Sequence, residues 1–192
     1  MKPAGPVPVA RALHKLWRYW QELQVRQTPG TQAPSIPAKT TLRLGGLGTV
    51  LPNIVLSEWL DEDKIIIRLA GTMVEEMTGQ ALAGVNLLDL TPATQRHDIG
   101  RVYTNLFTVP CGFHISESIR VGDGKKYTLA ALVLPLADAD GAACFAIGQY
   151  ALSRNGFEEN RFEAASIIEH RQIDMFGYID VGHGLPPGAT AS

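Results

Sequence analysis

Few residues in this chain combine the type and the neighbours that chemistry needs. His114, His170 and His183 are scattered without metal-ligand spacing. Ser116-Glu117-Ser118 lacks the G-x-S-x-G setting of a strand-to-helix nucleophile. Asp138 and Asp140 belong to a turn sequence. Cys111 and Cys144 form no C-x-x-C pair and have no histidine cluster near them, so they read as small, strand-borne apolar thiols; the sequence alone leaves a bridge between them open, and the low cysteine count suits a reducing cytosol. Leu44-Gly-Gly-Leu-Gly48 lacks the Lys-Ser/Thr ending of a phosphate loop and reads as a loop or short helix with packing glycines. Arg68 is the most informative charge, because it stands in a mostly apolar strand. Either it pairs at the surface with an acid such as Glu75 or Asp89, or it faces a cavity and holds a carboxylate or phosphate with its two-pronged guanidinium. No nucleophile, base and metal set can be assembled from these residues, so neither a catalytic group nor a metal site is expected.

The composition narrows the class further. With 45% hydrophobic and 19% charged residues over 192 positions, the chain can bury a core as one domain with extensions. A net charge of −2 without long runs of one sign supplies no concentrated basic surface, so a nucleic-acid partner is not expected. The start MKPAGPVPVARALHKLW has no long apolar core, and no stretch approaches eighteen apolar residues; a soluble, cytoplasmic chain with neither signal peptide nor membrane span is expected.

The elements that would position any site follow from periodicity. Three prolines and a glycine in residues 1–8 predict a loose arm. Leu13, Leu16, Trp17, Trp20 and Leu23 share one helical face over Val9 to Gln27. That stripe either packs on the chain's own core or, through Leu13, Trp17 and Trp20, joins two copies as a homodimer. Thr28 to Leu51 reads as a crossing segment. Asn53–Trp59 and Lys64–Leu69 read as strands around a polar Asp61-Glu-Asp63 tip. Thr72, with Glu75 three residues on, has capping-box spacing for one or two helical turns closed by Gly79, and Asn86 or Asp89 is free to cap or brace a loop. Thr91-Pro92 opens a helix running to about Phe107. Gly112–Val121, Tyr127–Leu136 and Ala143–Leu152 then read as a three-strand meander, with turns at Gly122-Asp-Gly124 and Asp138-Ala-Asp-Gly141. Phe157 to about His170 looks helical, Gln172 to Val181 reads as a strand or an irregular segment, and Gly182 onward should fray. The sum is an α+β fold with a five-stranded antiparallel sheet and helices gathered on one face.

That order, together with LPNIVLSEW, the IIIRLAGT step, the MTGQALAG loop and the ALVLPLAD strand, resembles a PAS domain. More narrowly, it is similar to a short PAS-type family of alphaproteobacteria, formerly a domain of unknown function. An aromatic helix precedes that family's domain, matched here by Leu16-Trp17-Arg18-Tyr19-Trp20. The resemblance spans about Leu13 to Leu152. Arg68, Gly71 and Thr72 match the motif, whereas Lys39 and Arg43 stand where the family carries acidic residues and a proline, and the tail after Ser153 exceeds the family core. It divides the chain into an arm and helix over 1–30, a sensor domain over 31–152 and a C-terminal extension over 153–192.

The resemblance implies a non-catalytic, bacterial sensory module with a pocket between the sheet and its helices. Its expected lining is Ile65, Ile67, Arg68, Thr72, Met73, Met77, Val102, Leu106, Ile115, Leu132 and Phe145. The expected partners are a small-molecule ligand, a signalling protein and a second copy. The runner-up is an interaction adaptor with a filled core. No cofactor is expected. His97 lies in the helix that supplies the iron ligand in heme-binding PAS sensors, but among Gln95, Arg96 and Asp98 it reads as solvated, and the Asn-Cys-Arg-Phe run of the light-sensing class does not occur.

Overall fold

The Asp61-Glu-Asp63 tip folds as its polarity suggests: the Asp63 amide donates to Asp61 Oδ1 and turns β1 (Ile54–Asp61) into β2 (Lys64–Ala70). The computed structural model describes residues 10–27, 35–121, 124–155, 157–158 and 168–189. The expected arm over 1–8, part of the crossing segment, the Gly122-Asp123 part of one turn and most of the expected helix after Phe157 lie outside these residues. Beyond β2 the chain forms α2 (Thr72–Thr78), a 3-10 turn at Leu87–Leu90 and α3 (Arg96–Thr108). The meander then runs as β3 (Gly112–Val121), β4 (Lys126–Ala137) and β5 (Ala143–Arg154). A two-residue β6 (Phe157–Glu158) pairs with the end of β5, and β7 (Ile168–Ile179) closes the series.

The sheet order is β2-β1-β5-β4-β3-β7, with every neighbouring pair antiparallel. The fold class is the expected α+β with an antiparallel sheet, but the sheet has six main strands rather than five. The difference is β7, which pairs along the whole of β3 from Gly112↔Ile179 to Val121↔Ile168. The segment after Ser153 thus contributes to the sheet, and its residues 168–170 are strand where a helix was expected. Its sequence IEHRQIDMFGYI mixes polar and apolar residues without a clean period of two, as befits an edge strand with a bulge between Met175 and Ile173. The opposite edge, at β2, is covered: Ile67 N donates to Val85 O, Gly84 N to Ile67 O, and Ile65 N to Asn86 Oδ1. Asn86 does the bracing by both routes, since its Oδ1 also caps Leu88 N and its Nδ2 donates to Asp63 O.

Both sheet faces are apolar and both are covered. On the inner face, Val55, Ile65, Ile67, Phe113, Leu129 and Val133 meet α2, the Leu87–Leu90 turn and α3. On the outer face, Ile54, Leu132, Leu134, Leu136, Phe145 and Ile147 meet α1 (His14–Gln27) and the 3-10 segment Leu44–Asn53. Leu13, Leu16 and Trp20 are almost wholly buried in that layer, at 1%, 0% and 1% exposure. Trp17 stacks on Trp20 at 6.2 Å with rings 6° apart, and Trp20 Nε1 donates to Pro135 O at 2.8 Å. Of the two readings of this stripe, Leu13 and Trp20 follow the first and cover the chain's own sheet, while Trp17 stays half-buried beside them. No helix among the described residues is long and apolar enough to cross a membrane.

Two helix starts differ from expectation. Gly71, not Thr72, is the N-cap of α2, and Glu75 Oε1 accepts from Leu82 N instead of closing a capping box. Gln95 precedes α3, while Thr91 Oγ1 donates back to Leu87 O. Gly71 has a packing reason. Any Cβ there would press into the backbone carbonyls of Pro52 and Leu51, which cannot swing away as a side chain would. Gly71→Ala should thus destabilise by roughly 1–3 kcal/mol. Gly45→Ala, where a Cβ meets nothing within 4 Å, serves as the control. Equal urea midpoints for the two variants would remove the packing argument.

Candidate functional site

Alternation on three strands aims one set of side chains at α3. On β3 these are Phe113, Ile115 and Glu117; on β4, Leu129, Ala131 and Val133; on β5, Tyr150. The polar members are the unusual ones. Glu117 is 4% exposed in an otherwise apolar row, and a carboxylate so placed must be paired. Its partner is Arg171 on β7, whose Nε donates to Glu117 Oε2 at 2.7 Å and whose Nη2 reaches the same oxygen. The Arg171 side chain keeps 33% of its exposure and so bridges interior and surface.

Beside this pair runs a chain of hydroxyls. Ser57 on β1 is buried and hydrogen-bonds Tyr103 of α3, which in turn hydrogen-bonds Tyr150. Burial pushes the Tyr103 hydroxyl well above the ordinary tyrosine range, and the neighbouring Tyr150 adds to this. Tyr150 is also raised, by burial first; Arg171 pulls it down and Glu117 pushes it up. Both phenols are neutral at physiological pH and act as hydrogen-bonding groups rather than as bases.

These side chains line space. A first cleft of about 90 Å³ lies among Thr91, Gln95, Ile99, Tyr103, Ile115 and Val133, with Glu117, Tyr150 and Arg171 on its wall. A second of about 150 Å³ lies among Val55, Ile67, Val74, Met77 and Leu82. Leu87, Thr91, Leu129, Tyr150 and Arg171 border both, so the two clefts meet at the Tyr150–Arg171 wall. A dry cavity of about 150 Å³ takes a benzene-sized molecule, and drug-sized ligands occupy about 300–1,000 Å³. The space suits a small occupant.

The expected lining residues divide by sheet face. Ile67 and Met77 line the second cleft and Ile115 the first. Ile65 on β2 and Leu106 on α3 are fully buried in one cluster with Val102 of α3 packed against it, and Met73 packs on Ile119 and Leu129; these four support the walls. Thr72 opens α2 and borders neither cleft. Three placements are corrected. Leu132 and Phe145 point to the outer face, one residue out of phase with Val133 and Ala146 on the inner face. Arg68 lies on the outer face as well and pairs with Glu58 across the hairpin, so the surface-pair reading holds with a different acid. Conversely, sequence reasoning missed Tyr103, Glu117, Tyr150 and Arg171. One signal was available: a lone glutamate at the middle of the period-two row Phe113, Ile115, Glu117, Ile119, Val121.

Neither cysteine borders the clefts. Both are free, and burial, with Asp180 adding to it, pushes the Cys111 thiol up to about 12. No group of three or more metal-binding side chains occurs among the described residues. His114, on the outer face beneath Arg11–Leu13, is 4% exposed and its Nε2 has no hydrogen-bond partner among the described residues. Burial holds its imidazole below the ordinary value of about 6.5. The unfolded chain therefore binds more protons as pH falls through about 6.5, and stability drops there until the folded-state value is passed. Urea midpoints at pH 7.5 and pH 5 should differ more for the wild type than for His114→Phe; equal differences would mean that His114 is not shielded.

A family model described as a PAS domain matches residues 9–151. Among solved structures, a variant of Vivid (VVD) is 15% identical, with 80% of this chain and 100% of that chain covered at a TM-score of 0.41. A fungal LOV domain photoreceptor is 18% identical, with 73% of this chain and 98% of that chain covered at a TM-score of 0.38. No curated protein matches the chain.

Proposed function

We propose, from the premise that this chain belongs to the PAS domain family, that it is a non-catalytic sensory module whose paired clefts bind a small molecule and pass its presence to a partner protein. One observation carries this reading: a buried ion pair and a hydroxyl chain stand on the wall of open space. As a device for stability such a pair is poor, since desolvation offsets most of its Coulomb attraction. As a recognition device it is apt, because both Glu117 and Arg171 border the first cleft. The ligand can act only through unequal affinity for two conformations. Arg171 gives it a route, since the residue belongs to edge strand β7 while its guanidinium sits at the clefts. Native mass spectrometry of the purified protein, with a thermal-shift panel of small metabolites, tests the reading. A ligand-free protein that no member of the panel stabilises would count heavily against it.

A second reading, a surface for another copy or a partner, draws on one observation. Ile173, Met175 and Phe176 are exposed at 40%, 50% and 39% on β7. Ile173 and Phe176 lie on the α3 side of the sheet and Met175 on the other side with His114; if this edge strand joins two copies, the wild type sediments as a dimer and a double Ile173→Lys, Phe176→Lys variant as a monomer. A wild-type monomer removes the homodimer.

A further inference from the structure

The groups on the shared wall restrict what an occupant can be. Arg171 spends Nε and Nη2 on one oxygen of Glu117, so the two charges cancel and Nη1 has no acceptor among the described residues. An entering carboxylate would set two negative charges against one guanidinium in a poorly solvated space, and an entering ammonium would do the reverse. Either costs free energy that a neutral molecule escapes. Tyr150 adds direction. Its hydroxyl pairs with Tyr103 and borders both clefts, so with Tyr103 as the donor its own proton is left for an occupant. Tyr150 and Arg171 thus offer donors at the point where the clefts meet, and they call for an acceptor. The remaining walls are apolar: Ile99, Ile115 and Val133 on one side, Val55, Ile67 and Leu82 on the other.

We propose that the occupant is a neutral molecule of on the order of six to ten non-hydrogen atoms with an apolar body and a carbonyl oxygen, a ketone or amide in class, that accepts from the Tyr150 hydroxyl. The size follows from two clefts of about 90 and 150 Å³. The carbonyl sits at their junction and the hydrocarbon extends into one or both. The proposal rests on the reading of the clefts as the sensory site.

Calorimetry of the full chain with seven-carbon probes that differ only in the head group tests it: 2-heptanone, heptanamide, heptanoate and heptylamine, with toluene as the purely apolar probe. The two carbonyl compounds should bind about tenfold or more tighter than the two ions. Tyr150→Phe should weaken 2-heptanone by about three- to tenfold and leave toluene unchanged. Heptanoate or heptylamine binding as tightly as 2-heptanone overturns the carbonyl assignment but leaves the clefts as a binding site. Silence from all five probes, toluene included, overturns the site itself. Should Tyr150→Phe lose its fold by circular dichroism, the ratio of 2-heptanone to heptanoate affinity in the unaltered protein decides the matter.

Discussion

Arg171→Ala is expected to destabilise the fold by about 3–5 kcal/mol, because it strands the Glu117 carboxylate, whose side chain is 5% exposed, on an apolar face. Glu117→Ala should cost less, about 1–3 kcal/mol. The guanidinium it leaves behind is one-third exposed and can swing toward water. Replacing both together, as Glu117→Met with Arg171→Met, should return the protein to within about 1–2 kcal/mol of the wild type, since two apolar side chains fill the same wall without a desolvation penalty. The three variants form a cycle whose coupling term isolates the pair. Urea unfolding at pH 7.5 measures it. An Arg171→Ala cost below about 1 kcal/mol would mean that the pair is solvated and that the clefts are wetter than their walls suggest. The double variant has a second use. If it folds and still binds toluene but no longer distinguishes 2-heptanone from heptanoate, the neutrality of the wall is what selects the ligand.

The position of this pair shows what the sequence could and could not reveal. Glu117 and Arg171 are 54 residues apart. Glu117 announces itself, as a carboxylate in an apolar row of period two. Arg171 does not, because it belongs to a strand whose own pattern is too mixed to read. Without β7 the glutamate has no partner and looks like surface. The same limit explains the misplaced lining. β4 from Leu129 to Leu136 and the start of β5 from Ala143 to Ile147 are apolar on both faces, so nothing in their pattern tells which parity faces the helices, and a shift of one residue moves Leu132 on β4 and Phe145 on β5 from inner to outer layer. The hairpin Ile54–Ala70, the two turns around β4 and the meander were legible because polar tips and glycines interrupt the strands. Arg68 could be read from sequence either as a surface ion pair or as a cavity anchor, and its actual partner came from across the hairpin, where register and not sequence spacing decides the neighbour.

Trp20→Ala is expected to cost about 3–5 kcal/mol. The cost has three sources: a large ring leaves the outer core, the Nε1 bond to Pro135 O is lost, and the stack with Trp17 goes with it. Trp17→Ala should cost distinctly less, because Trp17 is only partly buried and makes no hydrogen bond of this kind among the described residues. The helix has a second tie to the sheet. Gln149, 1% exposed on β5, accepts from Leu16 N at 3.2 Å and donates to Ala12 O at 2.6 Å. That polar clamp fixes the start of α1 while Trp20 fixes its middle, so in Trp20→Ala the first turn should stay docked longer than the rest. Hydrogen exchange reads this directly: amides of Trp20–Leu23 should exchange through a local opening in the variant, while those of β3 and β4 still require global unfolding. Opening would also bare Leu132, Leu134 and Ile147 to solvent, and an exposed apolar layer favours association. The variant should therefore self-associate more than the wild type, whereas tryptophans that joined two copies would make it self-associate less. A Trp20→Ala protein that costs under about 1 kcal/mol and sediments as a smaller species than the wild type would show that this stripe joins chains in solution.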